Sequence, residues 1–265
     1  MRKKITTAVF VGAGRLAHHL APAFEKAGIA VPLVCSRSLD TANSLCQLLN
    51  SARAVTSANF LTSGADLVVL CTPDSAIADM AQAVKLPPET MLVHTSGTVP
   101  LNAVIRPNAQ AGVFYPLQTF SPGKKTDFSK IPICLEASSA ESYAALEQLA
   151  MAISAKVVRI NSIQRQQLHL AAVFACNFSN HMMALAEEIM QQNQLDFQLL
   201  QPLVQETFEK ALQLGPADSQ TGPASRNDEL TLQMHRQLLK KNTFCQQVYN
   251  LVTESIQKKN GPKAE

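Results

Sequence analysis

The sequence predicts an α/β chain, a doubly wound and mostly parallel sheet followed by an all-helical domain. Three observations carry this expectation. Short, near-continuous apolar runs alternate with helical stretches over the first 160 residues, a glycine pair stands where the first run meets the first helical stretch, and beyond residue 160 the strand-like runs stop.

The apolar runs are TAVFVG (7–12), VPLVCS (31–36), DLVVLCT (66–72), TMLVHTS (90–96), AGVFYPL (111–117), IPICLEA (131–137) and KVVRI (156–160). Helical stretches fall at 15–27, 38–50, 74–84 and 140–154. Runs without polar alternation fit strands covered on both faces, and strand alternating with helix at this spacing reads as βαβ units. From Ile163 to Gln192 one long helical pattern follows, with Asn161 or Ser162 as its cap. Further helices are expected at about 196–213 and 226–257, with the loop GPADSQTGPAS between them. The domains are therefore set at 1–160 and 161–265, and the polar tail KKNGPKAE is expected to fray.

Composition excludes several classes. The chain is 46% hydrophobic and 16% charged with a net charge of +3, and its Lys and Arg residues are scattered apart from pairs such as Lys124-Lys125 and Lys240-Lys241. That argues against a nucleic-acid or membrane-surface partner. Cysteines at 35, 46, 71, 134, 176 and 245 form no CxxC and no Cys/His spacing suited to zinc, so no metal is expected. A reduced, cytoplasmic chain accounts for them best. The basic tip of MRKKITTAVFVGAG imitates a signal peptide, but its apolar run is too short, and no stretch of about 18 apolar residues marks a membrane span.

The glycine pair carries the first functional expectation. In Gly12-Ala13-Gly14-Arg15-Leu16-Ala17, Gly12 would make the tight turn and Gly14 would let backbone N–H groups approach a pyrophosphate at the positive end of the next helix. Ala17 stands where a third glycine is usual and need only permit close helix–strand packing. The end of the second strand selects the cofactor: Ser36-Arg37-Ser38 offers a guanidinium and two hydroxyls where an acid would meet an unphosphorylated ribose. NADP(H) is therefore expected over NAD. The alternative makes Ser38 a helix cap and Arg37 a solvated charge, with Asp40 as a weaker ribose contact.

Ligands of open α/β sheets bind beyond the carboxyl ends of strands. LCTPDSAI places Cys71, Thr72 and Pro73 there, with Asp74 read as a helix cap. VHTSGTVP places His94, Thr95 and Ser96 beside them; these residues face cofactor or substrate, or else form a loop hydrogen-bonding network.

Together, FVGAGRLAHHLAPAF, LVCSRS, VVLCTPDSAI and VHTSGTVPL resemble the β-hydroxyacid dehydrogenase-like NADP proteins, including pyrroline-5-carboxylate reductase and ketopantoate reductase. A closer resemblance is to bacterial Rossmann-like NADP oxidoreductases whose C-terminal half is a domain of unknown function. It rests on HTSG (94–97), GVFYPLQTFS (112–121), LHLAAVFACNFSNHM (168–182) and TGPASRND (221–228). The resemblance implies a Rossmann domain, a helical substrate and dimerisation domain like that of 6-phosphogluconate dehydrogenase, and a homodimer through the C-terminal helices. It supplies no substrate. Many relatives carry His where this chain has Tyr115, a hydroxyl whose ordinary pKa near 10 makes it a poorer proton shuttle at neutral pH.

A hydride transferase needs a donor near the carbonyl or imine being reduced. At 100° per residue, His169, Val173, Cys176 and Asn180 share one stripe of the long helix, with Asn177 and His181 on its shoulder. Phe174, Phe178, Met182, Leu185 and Ile189 form an apolar stripe on another side. Related reductases often use a Lys on this helix, but none lies between 157 and 209. His169, Asn180, Ser96 and Asn177 are therefore the catalytic candidates, and Tyr115, Thr119 and Arg226 the substrate contacts. The alternative has His169 and the two Asn residues satisfying buried groups or a dimer contact, and Arg226 paired with Asp228. The expectation is an NADP-dependent oxidoreductase moving a hydride between NADPH and a small carbonyl or imine. The rival is a non-catalytic NADP(H)-binding regulator or redox sensor.

Overall fold

A computed structural model describes residues 4–87, 89–107 and 109–260. The tail beyond residue 260, where fraying is expected, lies outside them. Two compact units divide at Phe174/Ala175.

The first unit follows the alternation. Its elements run β1 (Thr7–Val11), α1 (Arg15–Lys26), β2 (Ala30–Cys35), α2 (Leu39–Cys46), β3 (Arg53–Val55), β4 (Leu67–Leu70), α3 (Ile77–Ala83), β5 (Met91–His94), β6 (Ala111–Pro116), β7 (Ile133–Ala137), α4 (Ala140–Met151), β8 (Val157–Arg159) and α5 (Ser162–Ala172). The eight strands form one sheet in the order β3-β2-β1-β4-β5-β6-β7-β8, parallel throughout except between β6 and β7. The order reverses between β1 and β4, so their carboxyl ends frame the crevice where ligands of such sheets bind. Strand residues alternate between two cores. Phe10, Val69 and Phe114 pack with Leu20 and Phe24 of α1 and Leu146 of α4, whereas Val9, Val68 and Leu92 pack with Ile77 and Ala81 of α3. Burial on both faces is why the central strands read as unbroken apolar runs. β3 was missing from the expectation because three residues beginning with a charge carry no periodicity.

Asn161 caps α5. Its side chain accepts from the Gln164 N–H while the Gln164 side chain accepts from the Asn161 N–H, a complete capping box. The expected single helix over 163–192 is interrupted. Val173–Phe178 is π-helical and joins α5 to α6 (Ser179–Gln192). Its i→i+5 bonds change the rotation per residue, so a stripe drawn at a constant 100° does not carry across it.

The second unit holds α6, α7 (Gln201–Leu214), α8 (Glu229–Leu238) and α9 (Thr243–Asn260). The helix expected over 226–257 is two helices, parted by a tight turn at Leu239–Lys241 and restarted at Asn242, whose side chain accepts from the Cys245 N–H. His235 and Tyr249 join α8 to α9 by a 2.9 Å hydrogen bond. Leu212 is 86% exposed and Leu230 82%, leaving much apolar surface on these helices. Among the described residues, no helix is long and apolar enough to cross a membrane.

Candidate active site

The glycine turn begins one residue beyond β1. Gly12 has φ +96°, and its N–H donates to the Cys35 carbonyl at 2.8 Å while the Cys71 N–H donates to Val11. A Cβ on Gly12 would lie 2.5 Å from the Cys71 carbonyl oxygen and 3.0 Å from the Thr72 nitrogen, so glycine is demanded by both dihedral and space. Gly14 caps α1 in extended conformation, and a Cβ there would meet the protein only at 4.0 Å, which leaves the helix N-terminus open. Ala13 and Ala17 are buried, Ala17 completely, as close packing of α1 on the sheet requires. Arg15 is exposed and Leu16 half-buried at the mouth of the turn. A groove of about 1410 Å³ follows the outer face of α1 from Ala13 to Lys26, bounded by Ser44 of α2 and by the loop at 122–129. It meets the carboxyl edge of the sheet only at the glycine turn.

Beyond β2, Ser36 is half-buried and Arg37 exposed, while Ser38 caps α2, its oxygen accepting from the Thr41 N–H. Beyond β4 stand Cys71, Thr72 and Pro73. Burial pushes the pKa of the Cys71 thiol up to about 12, against a hydrogen bond shared with the Thr95 side chain. The Thr72 hydroxyl is buried and has no partner within the protein. Asp74 does not cap the following helix as the sequence suggests; its carboxylate accepts instead from the Thr98 hydroxyl. That partner becomes available because the loop after β5 folds back over the end of β4.

The loop after β5 is a hydrogen-bonded knot. Ser96 Oγ accepts from the N–H groups of Thr98 and Val99, both at 3.0 Å, and Thr95 Oγ1 donates to the Leu70 carbonyl. His94 is fully buried, and its Nδ1 accepts from the Ser96 N–H at 3.2 Å. Burial and the nearby Arg165 push its pKa down to about 4, against the Pro100 backbone and Asp74.

Helix α5 docks beside this loop through an unexpected face. Ser162, Arg165, Gln166 and His169 recur at i, i+3, i+4 and i+7, a docking stripe of polar groups in which Arg165 is buried, Ser162 and His169 half-buried and Gln166 exposed. Ser162 Oγ donates to Glu136 at 2.8 Å and accepts from the Leu101 N–H. Arg165 is completely buried, pairs with Glu136, and donates to the Val99 carbonyl at 2.5 Å, leaving Nε without a partner. Gln166 donates to the Thr98 carbonyl at 2.7 Å. His169 Nδ1 lies 3.1 Å from the Tyr115 hydroxyl. A Cβ on Gly97 would fall 2.6 Å from that nitrogen, so only glycine there admits the ring.

The structure thus brings Ser96, Tyr115 and His169 to the carboxyl ends of β5 and β6. Thr119 is exposed beyond β6, bonded to the Gln118 side chain. Asn177 lies in the π-helical stretch and Asn180 in the first turn of α6, both exposed, and His181 stacks at a tilt on Phe244. Arg226 is exposed just before α8, where its charge helps to hold the Asp228 carboxyl below the usual range, after the hydrogen bonds from Thr231. Arg165, Glu136 and Gln166 escaped the sequence reading. Their signal was a lone acid in the apolar run IPICLEA facing an i, i+3, i+4 polar set just after a helix cap.

Gly12 leaves a cradle that a Cβ would fill, and Thr72, whose backbone nitrogen borders that cradle just beyond β4, has a buried hydroxyl without a partner; both suit a dinucleotide crossing the switch point. Fold and site define a Rossmann-type dinucleotide oxidoreductase. Residues 7–97 match a family model described as NADP oxidoreductase coenzyme F420-dependent, and residues 131–256 match a domain of unknown function, DUF2520. Among solved structures, the putative NADP oxidoreductase BF3122 from Bacteroides fragilis is 39% identical, with a TM-score of 0.89 over 96% of this chain and 98% of that one. Protein TM1727 from Thermotoga maritima is 23% identical, with a TM-score of 0.71 over 96% and 98%. A reductive aminase from Aspergillus terreus in complex with NADPH and ethyl-5-oxohexanoate is 15% identical, with a TM-score of 0.73 over 97% and 93%, a likeness of fold alone. No curated protein matches. The chain belongs to the family of NADP oxidoreductases in which a Rossmann-like domain is joined to DUF2520.

Proposed function

We propose that this oxidoreductase binds NADPH across the β1/β4 crevice and reduces a small carbonyl or imine substrate at the adjoining ends of β5 and β6. One observation carries the reading: the glycine turn, clamped on Cys71 beside the free Thr72 hydroxyl, stands on the same sheet edge as the Tyr115–His169 pair. Ala13, Gly14, Arg15 and Leu16 hold the pyrophosphate at the N-terminus of α1. Ser36, Arg37 and Ser38 take the 2′-phosphate, and Cys71, Thr72 and Pro73 line the crevice. His94 and Thr95, both buried, act through the loop they shape. When bound, NADPH supplies a hydride, and both electrons with it, to the substrate carbon.

Residues 1–160 serve the cofactor and 161–265 the substrate and the dimer. In the first unit His169 and Ser96 are the catalytic candidates, with Tyr115 and Thr119 as substrate contacts; in the second, Asn177 and Asn180 are candidates for the reaction and Arg226 for the substrate. The exposed leucines of α7 to α9 fit a homodimer interface, and six unpaired cysteines fit the cytoplasm. Fluorescence titration with NADPH and NADH, followed by a panel of 2-keto acids, imino acids and aldehydes, tests the proposal. NADPH should bind more tightly, Arg37→Ala should erase the preference, and one class should be turned over. Tighter NADH binding would overturn the role of Arg37, and NADPH binding without turnover would favour the non-catalytic regulator.

A further inference from the structure

Resting on that reading, we propose that Tyr115 hands the proton to the substrate heteroatom and that His169 stands behind it as the acid that resupplies it.

A phenol has one proton to give. The Tyr115 oxygen and His169 Nδ1 are 3.1 Å apart with their rings edge-on, centroids 6.2 Å apart at 64°. With Nδ1 unprotonated, the Tyr115 hydrogen is spent on that nitrogen and the phenol oxygen only accepts. With the ring protonated on both nitrogens, Nδ1–H donates to the phenol oxygen and the hydroxyl hydrogen is free to turn toward a substrate. A hydrogen on Nδ1, carried by the imidazolium and by the neutral Nδ1–H tautomer alike, is therefore what frees the Tyr115 hydrogen for a substrate.

Tyr115 alone is badly suited to the task. Burial raises its pKa to about 12, with Cys134 and Asp74 adding to the rise and Arg165 opposing it. A phenol held so firmly in its neutral form transfers its proton only if the oxygen is reprotonated as it leaves. Every atom is accounted for: the Tyr115 O–H bond breaks as an O–H or N–H bond forms on the substrate, the His169 Nδ1–H bond breaks as the phenol re-forms, and the ring recovers its proton from water. The geometry is built rather than accidental. His169 presses on Gly97 where no other residue fits, and Arg165, one turn earlier, is fixed to Glu136 and Val99. The titratable and charged groups facing the pair are Cys134 of β7, Arg165 of α5 and Asp74 after β4, with Glu136 neutralising Arg165.

The test uses the full-length protein with Tyr115→Phe and His169→Gln. By NMR, the imidazole nitrogen signals of His169 should move in Tyr115→Phe relative to the unaltered protein, because the hydroxyl 3.1 Å from Nδ1 is gone, a readout that needs neither cofactor nor substrate. Both variants should bind NADPH as the unaltered protein does. On the substrate found by the panel, each should lose about 10²-fold or more in kcat. The kcat of the unaltered protein should depend on pH, whereas that of His169→Gln should be low and flat. Unmoved His169 signals in Tyr115→Phe, or full turnover by that variant, overturn the relay. If the panel yields no turnover at all, the reductase reading fails and the NMR comparison alone decides whether the pair is coupled.

Discussion

Replacing Arg165 with Met isolates what the buried ion pair contributes. Arg165 has no exposed surface, and the Glu136 side chain is 16% exposed. The substitution keeps most of the volume but strands the carboxylate, and removing one partner of a buried pair costs about 3–5 kcal/mol. Glu136 retains its hydrogen bond from Ser162 at 2.8 Å and touches some water, which places the loss near the lower end, about 3 kcal/mol. At about 2–4 °C per kcal/mol for a chain of this size, the melting temperature should fall by about 6–12 °C. The double variant Arg165→Met, Glu136→Leu leaves no stranded charge and should recover to within about 1 kcal/mol of the original. Calorimetry and urea unfolding would measure both. A loss below about 1 kcal/mol for the single variant, or a double variant no better than the single, would refute the assignment of the pair as an anchor.

Two further outcomes follow from the same site. Gly12→Ala sets a Cβ 2.5 Å from the Cys71 oxygen at φ +96°, which should cost about 2–5 kcal/mol in strain and overpacking and weaken NADPH binding in a fluorescence titration. His94 keeps a pKa of about 4 in the fold against about 6.5 unfolded, so below pH 6.5 the unfolded chain binds a proton that the folded chain refuses. Stability from this group is present above pH 6.5 and lost as pH falls toward 4, by about 3 kcal/mol in all, and urea midpoints for His94→Gln should lack that slope.

The parts of the fold set by local chemistry could be read from the chain. β1, the glycine turn and α1 follow from an apolar run, a residue forced to positive φ and a periodic helix, all within 20 residues. β7 kept its direction hidden, because an apolar run such as IPICLEA is the same in either orientation. The π-helical stretch at Val173–Phe178 was equally silent, since a change from i→i+4 to i→i+5 bonding leaves no mark on residue types. The polar stripe was sought at His169, Val173, Cys176 and Asn180, whereas the polar face by which α5 is held comprises Ser162, Arg165, Gln166 and His169. Polar interior faces defeat a reading that equates burial with apolarity, and here the partner, Glu136, is distant in sequence.

The reversal at β7 turns α5 into a ruler. Because β7 runs against β6, Glu136 sits beside Val113 and Cys134 beside Tyr115, two strand residues or about 6.6 Å nearer the carboxyl edge. Arg165 and His169 are four helical residues apart, a rise of about 6 Å. The two lengths agree, so fixing Arg165 at the level of Glu136 delivers His169 at the level of Tyr115. Lengthening the segment between Arg165 and His169 by a single residue would leave the ion pair intact and swing the imidazole about 100° off its partner. Within this stretch the chain can tolerate changes of side chain far more readily than changes of length.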